Sequence, residues 1–308
     1  MLQDGWRRAG LAMLLVAGTM VPPATAVTIL DSTWREEGGT TGRAWAGFGA
    51  HLDLAAEPQF AAVVALATDG ETWGEASGTW IGNHGGHGYV LTAAHIFELP
   101  AQADAYQVRS PGGRIHHADR IWVHPDWNGD TETRTGFDLV ILRLTQPMTD
   151  AGPPPVLYGG DREAGQTITF VGFGSRGIGS TGEQDRFHHG SAKAAAQGVV
   201  DQWVAMLSPP PKDADGGSYL GVFLPREDGG IANPYGGSET PVNRLVGLLG
   251  SGDSGGSAWM RVGAAWTIVG VNSNGDGTAR YGDSSWFTRI APHRRWIVGI
   301  VPGVRFSQ

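Results

Sequence analysis

Ser254 lies in Gly252-Asp253-Ser254-Gly255-Gly256, within the stretch GSGDSGGSA at 250–258. A serine hydroxyl is a weak nucleophile until a neighbouring base removes its proton. That base works best when a third, ionised group fixes its tautomer and stabilises its cation. The surrounding glycines permit a sharp turn that aims successive backbone N–H groups at one point, a nest suited to an oxyanion. The serine therefore calls for a histidine and an acid from elsewhere in the chain. VLTAAHIF carries an apolar run into His95, and GFDLVILRL opens another directly after Asp138.

The pattern G-x-S-x-G also fits the strand-to-helix elbow of α/β-hydrolases, in which the acid and the histidine follow the serine. The order here opposes that arrangement. After Ser254 the only histidine is His293, in the charged context PHRR, and SAWMRVGAAWTIVGV reads as strand, turn and strand. The order histidine, aspartate, serine is that of the chymotrypsin triad template. The chain contains no cysteine, which removes a thiol nucleophile, a four-cysteine zinc site and an iron–sulfur cluster, and leaves stability to core burial.

Short apolar or alternating runs bounded by Gly, Pro, Asn or Asp recur along the chain and must position these groups. FAAVVALAT (60–68), GYVLTAAHIF (88–97), FDLVILRL (137–144), TITFVGFG (167–174), GVVDQWVAML (198–207) and AWTIVGVNSN (265–274) read as strands. APHRRWIVGIV (291–301) reads as a C-terminal helix. The 49 glycines follow no G-X-Y period, which points to many tight turns in an all-β chain. AGPPP at 151–155 reads as a connector between two groups of strands, and 208–244 as a Pro- and Gly-rich surface insertion. With 41% hydrophobic and 17% charged residues, 308 residues supply ample core. The net charge of −8, without long runs of one sign, argues against a nucleic-acid partner.

Two arginines within the first eight residues, an apolar run from Gly10 to Val21 and the small residues Ala24-Thr25-Ala26 form a secretory signal pattern with cleavage after Ala26. The apolar run is too short to span a bilayer as a helix, which needs about 20 residues. An exported protein without a membrane anchor after cleavage is expected, extracellular or periplasmic and monomeric.

LTAAHIF, FDLVILRL and GDSGGSA resemble the three signature blocks of the trypsin-like, chymotrypsin-fold serine proteases. RIWVHPDWN (120–128) resembles the approach to their catalytic aspartate, and GQTITFVGFGS (165–175) the opening of their second barrel. The resemblance extends from about 55 to 300. It implies two antiparallel six-stranded β-barrels, at 55–150 and 151–303, behind an N-terminal extension at 27–54, with the active site between them and a short C-terminal helix. Carried over residue by residue, His95 is the general base and acid, Asp138 its orienter and Ser254 the nucleophile. The backbone N–H groups of Gly252 and Ser254 form the oxyanion hole. Activated members begin Ile-Val-Gly-Gly, and their freed amine pairs with the aspartate before the serine, here Asp253. No such segment occurs near Val27 or after Arg35 or Arg43, so a different partner for Asp253 is expected.

The same resemblance places Leu248 where trypsin-like specificity needs an acid, Ser273-Asn274-Gly275 along the wall, and Ser285 where glycine is usual. An aliphatic base cannot pair a basic side chain, so small or apolar residues are expected before the scissile bond. No cofactor is implied, and the substrate is a protein or peptide. His84 and His87, His116 and His117, and His188 and His189 lack the spacing of a zinc site. Asp126, Asn128, Asp130 and Glu132 alternate as in calcium loops, without the later bidentate Glu, so a solvated loop is expected. The 12 tryptophans are dispersed and read as barrel filling. The reading is a secreted serine endopeptidase; a non-catalytic binding or adhesion protein on the same scaffold is the alternative, and a serine esterase comes third.

Overall fold

A computed structural model describes residues 27–98, 102–131, 136–187, 192–204 and 219–307. The signal segment, Glu132, His188 and His189 lie outside the described residues. The chain opens with β1 (Thr28–Ile29), α1 (Asp31–Glu36) and α2 (Gly49–Ala56). Next come β2 (Val63–Ala67), β3 (Ala76–His84), β4 (His87–Thr92), β5 (Gln107–Arg109), β6 (Ile115–Val123) and β7 (Val140–Leu144). These six close into an antiparallel barrel in the order β2-β3-β4-β7-β6-β5.

β-branched and aliphatic residues dominate the barrel strands, and they are buried on both faces: Val64, Leu66, Val90, Leu91, Ile141 and Leu142 all reach 0% exposure. Burying each such side chain contributes about 1.5–3 kcal/mol. Register shifts at Trp80/Gly82 and Ala118/Arg120 supply the bends that closure demands. Because β4 and β7 are neighbours, with Thr92 opposite Val140, the segments carrying His95 and Asp138 emerge side by side.

The second half contains β8 (Val156–Tyr158), β9 (Thr167–Gly172), β10 (Gly177–Ile178), β11 (Gly182–Glu183), β12 (Ala194–Val199), β13 (Gln202–Val204), β14 (Tyr219–Phe223), β15 (Gly247–Leu248), β16 (Ser257–Val262), β17 (Ala265–Gly275), β18 (Ser284–Arg289), α3 (Arg294–Ile300) and β19 (Arg305–Ser307). Its main sheet runs β12-β9-β16-β17-β18-β14-β13, with β8 and β19 attached beside β17. The pairings place these strands in one sheet, and closure of the expected six-stranded second barrel is not among them. Its two end strands, β12 and β13, are consecutive in the chain, joined through Val200 and Asp201, and Asp201 N–H donates to Gly221 O of β14 at 2.9 Å, extending the β13–β14 ladder by one residue.

Two further expectations change. The stretch 198–207 is not one strand: β12 ends at Val199 and β13 begins at Gln202. The supposed surface insertion at 208–244 holds β14, whose five residues are all buried between β18 and β13. Its Tyr-Leu-Gly-Val-Phe run was too short to stand out beside the flanking Pro and Gly. The C-terminal helix is present as α3, preceded by a 3-10 turn at Ala291–His293. No helix among the described residues is long and apolar enough to cross a membrane.

The N-terminal segment is woven into the second half. β1 lies between β10 and β15 in a small sheet of order β11-β10-β1-β15, and α2 packs on β12. His51 of α2 is completely buried, and its Nδ1–H donates to Ala195 O at 2.7 Å. Burial depresses this imidazole to about 4. Its folded value thus lies below the unfolded one, so the unfolded chain takes up the proton first. The stability contributed by neutral burial is full above about pH 6.5 and is lost as pH falls toward 4, by about 3 kcal/mol at the limit. We expect Tm to fall across that window and the fall to become shallower in His51→Asn, whose amide can replace the Nδ1–H donor. Thermal melts between pH 7 and pH 4 read this directly; identical slopes for both proteins would refute it.

Candidate active site

β4 leads through Ala93 and Ala94 to His95, and Asp138 stands two residues before the barrel strand β7. Asp138 is fully buried. Its Oδ1 accepts from the backbone N–H groups of Ala94 at 2.6 Å and His95 at 2.8 Å, and its Oδ2 from the Ser273 hydroxyl at 2.5 Å. Burial opposes ionisation, yet the His95 ring, the Ser273 hydroxyl and these amides together hold the carboxyl below the usual carboxylate range. His95 Nδ1 stands 2.7 Å from Oδ2, and Nε2 stands 2.8 Å from Ser254 Oγ. An ionised carboxylate only accepts, so Nδ1 carries the proton and Nε2 is left free to accept from the serine hydroxyl. The three residues singled out in the sequence thus converge in one hydrogen-bonded line.

Ser254 sits in the loop from β15 to β16. Gly252 (φ +89°) and Gly255 (φ +82°) occupy the left-handed region, and a Cβ on Gly255 would collide with Ser77 O and Thr92 Oγ1. The loop is pinned to the first barrel, since Ser77 N–H donates to Ser254 O at 2.8 Å. Gly255 N–H and Gly256 N–H are taken by Asn272 O and Asp253 O, whereas the N–H groups of Gly252 and Ser254 bond to no other described residue. Two unengaged amides flank the hydroxyl, which is the donor pair an oxyanion needs.

Asp253 is wholly buried behind this loop. It accepts from Gly250 N–H at 2.8 Å, Gly174 N–H at 3.0 Å and Val27 N–H at 3.1 Å. Burial pushes its carboxyl up to about 6. Its partners are therefore backbone groups, and the third belongs to Val27, where the sequence has no Ile-Val-Gly-Gly. Val27 is held at φ +57°, an outlier for a β-branched residue.

A cleft of about 290 Å³ opens beside Ser254, lined by His95, Leu249, Ser251, Ala279 and Ser284 together with the expected Ser273, Asn274, Gly275 and Ser285. Leu248 is a correction: it pairs with Thr28 across β1, is fully buried and packs in the second core, so it does not line the cleft. Alternation along a strand sends neighbouring side chains to opposite faces, and Leu249 faces the cleft in its place. Ser285 Oγ accepts from Leu249 N–H at 2.9 Å. Glu183 and Asp276 also line the cleft and were not foreseen. Glu183 reaches it because β11 folds against the loop, its Oε1 accepting from Ser251 N–H at 3.1 Å, and burial raises its carboxyl.

Residues 76–229 match the family described as the trypsin-like peptidase domain, which is half of the chain. The chain belongs to this family. The match spans His95 and Asp138 and stops short of Ser254. Membership of the trypsin-like peptidase family supports a serine-protease type of function. Elsewhere in this peptidase chain, His87 Nδ1 bonds to Leu144 O, His116 is buried, and His84 and His117 are exposed. Among the described residues no group of three or more His, Asp or Glu is arranged to hold a metal ion.

Proposed function

We propose that the chain is an exported serine endopeptidase that hydrolyses protein or peptide substrates through an acyl-enzyme. The observation that carries this reading is the line from Ser254 Oγ through His95 to Asp138 at 2.8 and 2.7 Å, next to the two unengaged amides of Gly252 and Ser254. His95 Nε2 takes the hydroxyl proton as Oγ attacks the scissile carbonyl carbon. The resulting oxyanion is held by the two N–H groups, and the imidazolium is stabilised by Asp138. The ring then gives its proton to the departing amine, the C–N bond breaks, and the acyl group stays on Oγ. Water, deprotonated by the same ring, attacks the ester carbon, the C–Oγ bond breaks, the ring returns its proton to Oγ, and the acyl group leaves as the new carboxyl terminus.

Export and activation are one event in this reading. Signal cleavage after Ala26 frees the Val27 amine, which becomes an ammonium group facing the Asp253 carboxylate, and a buried donor–acceptor contact becomes an ion pair. Cleavage also removes the peptide bond that defines the strained φ of Val27. The processed protein acts outside the cytoplasm as a monomer, without nucleic acid or membrane anchor.

The cleft, narrowed by Ser285 and faced by Leu249 and Ala279, favours small or apolar side chains before the scissile bond. Cleavage of a mixed peptide library by the purified protein, with fragments sequenced, is expected to place Ala, Val or Leu at that position. Cleavage chiefly after arginine would overturn the preference and assign the carboxylates of Glu183 and Asp276 to substrate binding. No cleavage of any peptide would remove the endopeptidase reading itself.

A further inference from the structure

His293, the one histidine following the serine, is buried at the N-terminal end of α3 and takes no part in the relay described above. Its Nε2 lies 2.8 Å from Gly136 O, two residues before Asp138, and its Nδ1 lies 3.2 Å from Nε2 of the buried His124. Nδ1 of His124 in turn lies 3.2 Å from the backbone N–H of Asp126. One proton arrangement satisfies every contact. A backbone N–H can only donate, so His124 Nδ1 accepts and its proton sits on Nε2. That Nε2–H donates to His293 Nδ1, which leaves the His293 proton on Nε2, where it donates to Gly136 O. Both rings are neutral in this arrangement, and burial lowers the affinity of each for a second proton.

The two imidazoles also grip Phe137, which immediately precedes Asp138. Phe137 stacks on His124 with centroids 5.0 Å apart and an interplanar angle of 26°, and meets His293 edge-on at 5.7 Å. Trp296 of α3 closes on His124 from 4.8 Å. On the far side of the aspartate, His124 N–H donates to Leu139 O at 2.9 Å. The backbone bearing Asp138 is therefore held by histidines on both flanks, one from the end of the first barrel and one from the C-terminal segment.

We infer that His293 and His124 form a neutral, directional brace that positions Asp138, so that the C-terminal segment sets the orientation of the catalytic carboxylate from behind. The inference rests on the proposed triad reading. Both residues act through Asp138 and touch no substrate, which makes them positioning residues. A brace of this kind controls how Asp138 orients His95 and leaves the substrate cleft untouched, so its loss lowers kcat and spares KM. Displacements of about 1 Å at a catalytic group cost up to about 10²-fold.

The test is His293→Phe, which keeps an aromatic ring in place and removes the donor. On folded protein verified by circular dichroism we expect kcat to fall about tenfold or more, with KM within about twofold of the unsubstituted protein. A structural role alone would lower Tm and leave kcat per folded molecule unchanged, and that result would overturn the brace. Should His293→Phe not fold, ¹⁵N shifts of the imidazoles in Ser254→Ala decide instead. Protonated Nε2 with unprotonated Nδ1 on both His124 and His293 supports the brace, and a protonated Nδ1 on either ring refutes it. If the unsubstituted protein hydrolyses nothing, the triad reading fails; if it hydrolyses normally and His293→Phe matches it, only the brace fails.

Discussion

Ser254→Ala is expected to lower kcat by about 10⁴–10⁶-fold while leaving Tm and the circular dichroism spectrum within error of the unsubstituted protein. The hydroxyl forms no part of the core: its contacts are His95 Nε2 and, at 3.4 Å, Ser273 O. Removing it empties no cavity and strands no charge, whereas without it no acyl bond can form. His95→Ala is expected to lose a comparable factor, and the double substitution little more, because members of a relay that act as a unit do not contribute additively. Additive losses in the double variant would mean that the two residues work independently, against the geometry of a single line.

The second large effect concerns Asp253. Its carboxylate gathers the N–H groups of Val27, Gly174 and Gly250, and the residues on either side of it carry the two amides proposed as oxyanion donors. Asp253→Asn keeps the shape and removes the charge, so the amide must turn one N–H₂ toward backbone donors in a fully buried site. The expected result is a loss of about 10²–10³-fold in kcat/KM, the size of a missing oxyanion donor, with a lowered Tm. Two companion measurements bear on the activation reading. N-terminal sequencing of the exported protein should begin Val-Thr-Ile-Leu, and a mature protein carrying one extra alanine before Val27 should lose activity, because its amine can no longer reach Asp253. Full activity in the extended protein would detach the Val27 amine from function.

The legibility of this site in the sequence follows the reach of each signal. His95, Asp138 and Ser254 each sit at a strand end with a local signature, and strand pairing brings those ends together, so three short motifs in order were enough. The first barrel was equally visible, because runs such as VVALA and VILRL are apolar on nearly every residue. The partner of Asp253 was not visible. It is a backbone N–H, and any residue with a nitrogen at the head of β1 would serve, so Val27 carries no side-chain signature. Leu248 and Leu249 are chemically alike, and only the pairing of β15 with β1 decides which of them faces the cleft. The closed second barrel was implied by resemblance, whereas the described pairings give one sheet whose end strands, β12 and β13, are consecutive in the chain. His124 and His293 share no signature in the sequence, because 169 positions separate them in the chain and only the packing of the C-terminal segment against the barrel joins them.

Fluorophosphonate labelling of the purified, processed protein tests the central claim most directly. Reagents of this class phosphonylate a serine only where a base activates its hydroxyl and donors hold the resulting oxygen charge. Intact-mass and peptide analysis should find one adduct per chain, on Ser254, and none in His95→Ala. An unlabelled protein, a label on another residue, or a label that persists in His95→Ala would contradict the account.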